Sequence, residues 1–320
     1  MKFSIRVVLG LVVVLSAGIA VAQNYPVKTV RVVVPWPPGG ANDIVGRIVA
    51  QRLADQTGQQ FVIDNRGGAN GNIGAEMVAK APADGYTLMV HSAAHVTNPH
   101  MYKKLSYDAL KDFTGVTPLA VQLGMLVVHP SLPAKNVKEY IALGRAQPGK
   151  IVYASSGSGS FVHLAMALIN SMSNTQMVHV PFKGGGPAVV ALASGEVQAM
   201  TATIGSVIPH LPSGRLRALG VTSATRMKQF PDMPAIAEGL PGYEFAAWIG
   251  AFVASATPKP IVDRLNGEIK KALENPEVVK AMSSQTLDPM YMGSEQFATR
   301  LKNDFDKYEK LVKMTGVTSN

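Results

Sequence analysis

A loop rich in proline and glycine, Trp36-Pro37-Pro38-Gly39-Gly40, joins the β-branched run Val30–Pro35 to an amphipathic segment that contains Asp43. Prolines fix the shape of such a loop, and glycines let a ligand approach its backbone. The unpaired N–H groups at the start of a helix favour an anion. The loop is therefore a candidate anion site. An ordinary strand-to-helix turn, with Ala41 or Asn42 near the N-cap, is the alternative.

A second loop of this kind, Ser155-Ser156-Gly157-Ser158-Gly159-Ser160, precedes an amphipathic segment that begins at Phe161. Hydroxyl and N–H groups at a helix start can bind a carboxylate. The candidate ligand contacts in this loop are Ser156, Ser158, Gly159 and Ser160. N-capping by Ser158 or Ser160 is the structural alternative.

His163 lies off the apolar face of the segment after this loop and is predicted to face a cleft or solvent. In a hydrolase interpretation, Ser160 would be the nucleophile and His163 its base. The sequence contains no G-x-S-x-G motif around these residues and no Walker loop, and Val162 breaks a dinucleotide-binding pattern. These patterns favour ligand binding over catalysis.

Further polar residues follow predicted strands, at the position where open α/β sheets bind ligands. The candidates among them are Ser92, His95, Lys183, Gly184 and Thr203. His91, His95 and His100 also suggest a metal site. However, Pro99 is predicted to break any helix there, and the segment has no carboxylate, so no metal is expected.

Strand-like and helix-like segments alternate along the chain, beginning with Val30–Pro35 and Asp43–Gln56. This rhythm is typical of parallel sheets covered on both faces. A second cycle begins near Met125, so the chain is predicted to form two similar α/β domains. Phe245–Ala254 is predicted to cross back between the domains, and the C-terminal third is predicted to be helical.

The N-terminus has the features of an export signal. Lys2 and Arg6 precede an apolar run, and Ala20-Val21-Ala22 is a small-x-small cleavage site. We therefore expect cleavage after Ala22 and a periplasmic location. A transmembrane anchor is the alternative, but the apolar run is short for a span. The 320-residue chain has no cysteine, which excludes disulfides and thiolate metal sites.

The formal net charge of +9 is dispersed along the sequence, with lysine doublets only at Lys103-Lys104 and Lys270-Lys271. Aromatic residues are not interleaved with basic ones. Nucleic acid is therefore not an expected partner, and the dispersed charge fits a mild attraction of anions.

The chain resembles the extracytoplasmic solute receptors of tripartite tricarboxylate transporters, the Bug family. Matching segments run along the whole mature chain. They include Val33-Val34-Pro35-Trp36-Pro37-Pro38-Gly39-Gly40, Ala83-Asp84-Gly85-Tyr86-Thr87-Leu88, Val180-Pro181-Phe182-Lys183-Gly184 and Leu216-Arg217-Ala218-Leu219-Gly220-Val221-Thr222. Two departures stand out: Gly67 follows Asn65-Arg66 where the family has proline, and Phe182 replaces the usual tyrosine.

The resemblance implies an α/β fold of the type II periplasmic binding protein class, in which two doubly wound lobes close on a ligand. It places residues 23–123 and 248–320 in the first lobe and residues 124–247 in the second. It assigns Pro38, Gly39 and Asp43 to one loop of the cleft, and Ser156 to His163 and Lys183-Gly184 to two others. The implied ligand is a small organic anion.

The loop Thr201–Ser206, expected to select the ligand, contains no charge. This favours a mono- or dicarboxylate, with aromatic acids among the candidates, over citrate. We expect a monomeric receptor that delivers its ligand to the membrane permease subunits of the transporter, without catalysis, metal or cofactor. A periplasmic sensor that feeds a two-component system is the first alternative, and a secreted serine hydrolase is the second.

Overall fold

The computed structural model describes residues 25–317. The predicted signal peptide and its cleavage site after Ala22 lie outside the described residues. The described chain forms two sheets with helices packed against them. Within residues 25–317, no helix combines the length and apolar character needed to cross a bilayer.

The first sheet has six strands. They are β1 (Val30–Val34), β2 (Phe61–Asn65), β3 (Thr87–Ser92), β4 (Phe113–Gln122), β10 (Ala247–Ala254) and β11 (Asp288–Pro289). Their order across the sheet is β11-β4-β10-β3-β1-β2. Strand β1 is parallel to β2 and β3, whereas β10 is antiparallel to β3 and β4. We call this sheet and its helices lobe 1.

The second sheet has five strands. They are β5 (Gly124–Val128), β6 (Val152–Ser155), β7 (Val178–Pro181), β8 (Ala199–Thr203) and β9 (Arg217–Val221), in the order β7-β6-β8-β5-β9. Strand β6 is parallel to β7 and β8, and β5 is antiparallel to β8 and β9. We call this sheet and its helices lobe 2.

The two sheets repeat one topology. Counted from β2 in lobe 1 and from β7 in lobe 2, the antiparallel strand in fourth place is β10 or β5, the first strand after the chain returns to lobe 1 or enters lobe 2. Strand β1 therefore occupies the same place in lobe 1 that β6 occupies in lobe 2. The loops after β1 and β6 are consequently equivalent, as the recurring sequence pattern predicts.

Ten helices lie within residues 25–317. They are α1 (Ala41–Thr57), α2 (Asn72–Ala79), α3 (Ala94–Met101), α4 (Val137–Ala146), α5 (Phe161–Ser173), α6 (Gly185–Ala193), α7 (Ile204–Val207), α8 (Lys259–Leu273), α9 (Pro276–Ser284) and α10 (Ser294–Thr315). Helices α1, α5 and α6 each follow a parallel strand. Their N-termini therefore lie at the carboxyl edge of a sheet.

The central strands of the first sheet are buried on both faces. All eight residues of β10 are buried, and four of the five in β1 are buried, because helices cover both faces of the sheet. Trp248 of β10 packs edge-on against Phe297 of α10, with ring centroids 5.3 Å apart. The Trp248 indole N–H donates to Asp304 at 2.7 Å, so the buried polar atom has a partner.

The two chain crossings are tied together by Thr222. The Gly124 N–H donates to Thr222 Oγ1 at 2.8 Å, and the Phe245 N–H donates to the Thr222 carbonyl at 2.9 Å. Gly124 begins the strand that enters lobe 2, and Phe245 precedes the strand that returns to lobe 1. Thr222 therefore fixes the two crossing segments side by side.

One local prediction is wrong. Pro99 does not prevent a helix, since it lies inside α3. A proline interior to a helix removes one backbone hydrogen bond and bends the helix. Helix α3 has only two turns and is packed against the long helix α10, so tertiary packing compensates for the missing bond.

Candidate ligand-binding cleft

The inner cavity, a space of about 260 Å³, lies between the two lobes. Lobe 1 contributes Trp36–Asn42, Ser92 and Gln122 to its wall. Lobe 2 contributes Ser156, Ser160–Val162, Gly184–Pro187, Met200, Thr203 and Ser206. None of these described lining residues carries an ionisable group. A ligand here would contact backbone, hydroxyl, amide and apolar groups.

Three helix N-termini meet at this cavity. The N-cap and first two residues of α1 are Gly40, Ala41 and Asn42, those of α5 are Ser160, Phe161 and Val162, and those of α6 are Gly184, Gly185 and Gly186. All nine line the inner cavity. The first N–H groups of a helix have no partner within it, and the helix dipole places positive potential there. The cavity is thus suited to an anion without a lysine or arginine.

Hydrogen bonds to Asp43 fix the conformation of the loop before α1. Asp43 Oδ2 accepts hydrogen bonds from the Gly39 N–H at 2.9 Å and from Arg47 Nε at 2.9 Å. Its Oδ1 accepts from Asn65 Nδ2, which also donates to the Trp36 carbonyl. Burial by itself raises the pKa of the Asp43 carboxyl, but these hydrogen bonds outweigh it and hold the pKa below its ordinary value. Asp43 therefore positions the loop.

The N-cap of α1 is Gly40, and Ala41 and Asn42, which were predicted to lie near the N-cap, are the first two residues of the helix. No side chain caps the N-terminus at this point. Gly39 has φ +81°, a conformation that an L side chain rarely adopts. Gly39 therefore allows the shape of the turn, and Gly40 leaves the N–H groups at the helix N-terminus without a side-chain partner.

Trp36 forms the wall where the inner cavity meets the outer one. Its indole N–H donates to His91 Nδ1 at 3.2 Å, which fixes the ring. Burial and the neighbouring His95 lower the pKa of His91 well below its ordinary value. The imidazole is therefore neutral, and its Nδ1 accepts from both the Trp36 indole N–H and the Ser92 backbone N–H, the latter at 2.9 Å.

In the second loop, Ser160 is the N-cap of α5, as the structural alternative predicts. Its Oγ accepts from the His163 backbone N–H at 3.3 Å. The Gly159 N–H donates to His163 Nδ1 at 3.0 Å. Gly159 itself lies against Met101 and Asn70 of lobe 1 and leaves no room for a Cβ. This loop is thus a contact between lobes as well as a helix start.

His163 does not face the cleft or open solvent, contrary to the prediction. It is buried and stacks on His179 with ring centroids 3.6 Å apart. Burial first, and then the charge of His179, lowers its pKa to about 3. Ser160 bonds to the His163 backbone rather than its ring, and no carboxylate of the described chain is bonded to that ring. Ser160 and His163 therefore do not form the nucleophile–base pair of the hydrolase interpretation.

A larger outer cavity of about 840 Å³ lies on the other side of a contact between Pro37 and Gly184. It is lined by the Asn65–Gly71 segment and Tyr102 from lobe 1, and by His179 and Lys183 from lobe 2. Trp36, Pro37, Pro38, Ser156 and Gly184 line both cavities. The two cavities therefore adjoin each other at these residues.

The structure brings most of the predicted site residues together. Those at the inner cavity are Trp36, Pro38, Gly39, Ser92, Ser156, Ser160, Gly184 and Thr203. Ser158 and Lys183 line the outer cavity only. Asp43, Gly159 and His163 lie behind the wall of the inner cavity and support it.

His95 is not at the cleft. It is fully buried, packs against Phe252 and Phe113, and its Nε2 lies 2.9 Å from the Ala109 carbonyl. Burial lowers its pKa to about 4, so the side chain is a neutral part of the core. Within residues 25–317, no three His, Cys, Asp or Glu side chains form a group able to hold a metal.

Sequence reasoning missed two polar residues of the inner cavity, Asn42 and Gln122. Asn42 stands next to the predicted Asp43, and its position in the first turn of a predicted helix was an available signal. Gln122 ends strand β4 in a run of apolar residues, TPLAVQLGMLVV. A single polar residue before the chain crosses between lobes was the only signal there.

Curated relatives match along nearly the whole chain. A protein encoded in the tcbD–tcbE intergenic region of Pseudomonas sp. strain P51 is 37% identical over 312 residues, covering 96% of this chain and 93% of the relative. Protein BugT of Bordetella pertussis is 33% identical over 307 residues, covering 94% of each.

Solved structures show the same fold. R. palustris Rpa4515 with adipate has a TM-score of 0.88 and 35% identity, covering 92% of this chain and 99% of the other. MatC from Rhodopseudomonas palustris with bound malate has a TM-score of 0.83 and 32% identity, covering 90% of this chain and 100% of the other. The predicted two-lobed type II fold is confirmed. The family model described as the tripartite tricarboxylate transporter family receptor matches residues 45–317. The chain therefore belongs to this receptor family.

Proposed function

We propose that this protein is a periplasmic receptor that captures a small organic carboxylate between its lobes and delivers it to a membrane permease of the tripartite tricarboxylate type. The observation that carries the proposal is the meeting of three helix N-termini at one uncharged cavity. Each terminus offers unpaired N–H donors, and together they favour a single anionic group.

The chemistry of the wall supports a carboxylate of low charge. A second or third carboxylate would find no cation among the described residues of the inner cavity. Trp36, Phe161 and Met200 provide apolar and aromatic surface for the rest of the ligand. Mono- and dicarboxylates, including aromatic acids, therefore fit better than citrate. The relatives solved with adipate and malate support the same class.

Ligand binding would stabilise the closed arrangement, because groups from both lobes would touch the same anion. The closed form is then the species that docks on the permease. The predicted export signal supports a periplasmic location, and we expect the receptor to act as a monomer. We also propose that the boundaries between the lobes lie after residues 123 and 247.

A thermal-shift screen of residues 23–320, refolded to remove carried-over ligand, tests this function. The panel contains mono-, di- and tricarboxylates, aromatic acids and amino acids. A ligand at 100 times its Kd stabilises a protein by about 2.7 kcal/mol, so we expect a shift of several degrees from one class of carboxylate. Consumption of the ligand during incubation would instead favour an enzyme. No shift from any carboxylate would contradict the receptor.

A proline at the first position of α1 tests the helix-end mechanism. Ala41→Pro removes one N–H donor from the cavity, yet proline is well tolerated at this position. Ser294→Pro is the matched control, because Ser294 also follows a glycine N-cap in extended conformation, on a helix away from the cleft. We expect ligand affinity to fall about tenfold in Ala41→Pro and to stay unchanged in Ser294→Pro. Equal affinity in both variants would contradict an anion held by α1.

A further inference from the structure

Two amide side chains at the inner cavity make no hydrogen bond within the described chain. Asn42 is 7% exposed and Gln122 is 5% exposed. Asn42 Oδ1 and Gln122 Oε1 are both buried without a partner. Both residues line the inner cavity. Buried polar groups in native proteins are nearly always paired. The hydrogen-bond partners of these two amides must therefore come from a molecule other than the protein.

Three hydroxyl groups of the same wall, those of Ser160, Thr203 and Ser206, differ from the amides because they are already paired. Ser160 Oγ accepts from the His163 backbone. Thr203 Oγ1 donates to Ser206 Oγ, which donates to the Thr203 carbonyl. Among the described residues of the cavity wall, only Asn42 and Gln122 have a buried side-chain oxygen or nitrogen without a hydrogen-bond partner.

Topology places both amides on the lobe 1 side of the cavity. Asn42 is the second residue of α1, and Gln122 is the last residue of β4. The helix ends at Phe161 and Gly185 belong to lobe 2. A ligand held by the three helix ends through its carboxylate would have Asn42 and Gln122 on the lobe 1 side of its remaining atoms.

The chemistry of an amide decides what it can recognise. Each amide has two N–H donors and a carbonyl acceptor, so its natural partner both donates and accepts. A carboxylate only accepts, and a methylene does neither. An ammonium only donates, and no carboxylate among the described lining residues would balance its charge. A neutral hydroxyl does both.

We propose that the ligand is a small hydroxy carboxylate whose hydroxyl group is recognised by Asn42 and Gln122. This rests on the proposed function, since the carboxylate is held by the helix ends as described above. The two amides then act as the specificity residues. They distinguish a hydroxy acid from its deoxy and amino analogues, because either analogue leaves buried amide atoms unpaired.

Matched triplets of ligands test the proposal by isothermal titration calorimetry. Each triplet contains a hydroxy acid, its deoxy analogue and its amino analogue, such as 3-hydroxybutyrate, butyrate and 3-aminobutyrate. Further triplets place the hydroxyl at C2 or C4, and hydroxybenzoates are compared with benzoate. We expect at least one hydroxy acid to bind about 10- to 100-fold tighter than both of its analogues.

The variants Asn42→Leu and Gln122→Met remove the amides and keep similar side-chain volumes. We expect the preference for the hydroxy acid to fall towards unity, with the affinity for the deoxy acid unchanged or higher. The melting temperature of the ligand-free protein should rise, because an unpaired buried amide has been replaced by an apolar group. Gln51→Met, an exposed position on the same helix, is the control and should change neither property.

Three results would overturn the proposal. The first is that no hydroxy acid in any triplet binds more tightly than its deoxy analogue in the wild type. The second is that the tightest ligand of the whole panel is an amino analogue, and the third is a hydroxy preference that survives in both variants. In each of these cases a carboxylate still binds, so the receptor function stands. If no carboxylate of any triplet binds, both the receptor function and this proposal fail.

Discussion

Gly184 of lobe 2 lies against the ring of Pro37 in lobe 1. A Cβ built on Gly184 would stand 3.3 Å from Pro37 Cγ, and Gly184 has φ +117°. This contact separates the inner cavity from the outer one, since both residues line both spaces. Gly184 also precedes α6, one of the three helix ends at the cavity. The same glycine therefore sets how closely the lobes approach and where a helix N-terminus lies.

Substitution of Gly184 is expected to weaken ligand binding. In Gly184→Ala the added methyl group presses on Pro37 and favours a more open cleft, so we expect affinity to fall about tenfold or more. Gly214→Ala is the control, because Gly214 also has positive φ, +70°, but has no atom near the added Cβ. Calorimetry measures affinity, and small-angle scattering with ligand measures closure. Equal losses of affinity in the two variants would point to backbone strain alone.

Asp43 is expected to contribute stability that depends on pH. Its folded pKa is lowered, so the contribution is present above the unfolded pKa of about 3.9 and is lost as pH falls through the folded value. We expect Asp43→Asn to lower the free energy of unfolding by about 1–3 kcal/mol at pH 7, and by less at pH 3. Urea unfolding at both pH values measures this.

The control for Asp43 is Asp263→Asn, which removes an exposed pair with Lys259. An exposed ion pair contributes at most about 1 kcal/mol, so this variant should change little. If Asp43→Asn lowers the free energy of unfolding no more than the control does at pH 7, the buried hydrogen bonds to Gly39 and Asn65 do not hold the loop in place.

Trp36 should report ligand binding by fluorescence. The two tryptophans of the chain differ, since Trp36 lines both cavities and Trp248 is 1% exposed and bonded to Asp304. We expect ligand to change the emission of the wild type, and Trp36→Phe to abolish the change while calorimetry still detects binding. A full fluorescence change in Trp36→Phe would mean that Trp248, and hence the lobe 1 core, responds to ligand.

The stacked pair His163 and His179 should make the protein less stable in mild acid. Burial lowers the pKa of His163 to about 3, with a smaller effect of His179, and lowers that of His179 to about 4. Both folded values lie below the unfolded value of about 6.5. The unfolded chain therefore binds more protons between pH 6.5 and 4, and stability falls as pH falls through that window.

Urea unfolding between pH 7.5 and 4.5 tests this pair. We expect His179→Gln to reduce the slope of unfolding free energy against pH by about one proton, which is about 1.4 kcal/mol per pH unit. His179→Gln also keeps a polar group near Ser155, the partner of His179 at 2.6 Å. An unchanged slope would show that His179 has the same pKa in the folded and the unfolded chain.

Local features of the sequence predicted much of the fold. Clusters of proline, glycine and serine next to apolar periodic runs marked the loops before α1 and α5, and the C-terminal third, predicted to be helical, contains α8, α9 and α10. Such features depend on residues close in the chain, so they can be read without tertiary contacts. Pro99 shows the limit, because packing against α10 keeps it in a helix that local rules exclude.

The sequence by itself determined the two strand–loop–helix units, their glycines and capping serine, and the lack of charge in Thr201–Ser206. Tertiary structure alone decided which residues share a space. Strands β4 and β1 are separated in the sheet by β10 and β3 but end at the same edge, so Gln122 and Asn42 line one cavity although 80 positions separate them. Tertiary structure also buries His95 and His163 in lobe interiors. Burial and hydrogen-bond pairing are properties of neighbours in space, and residues distant in the chain supply those neighbours.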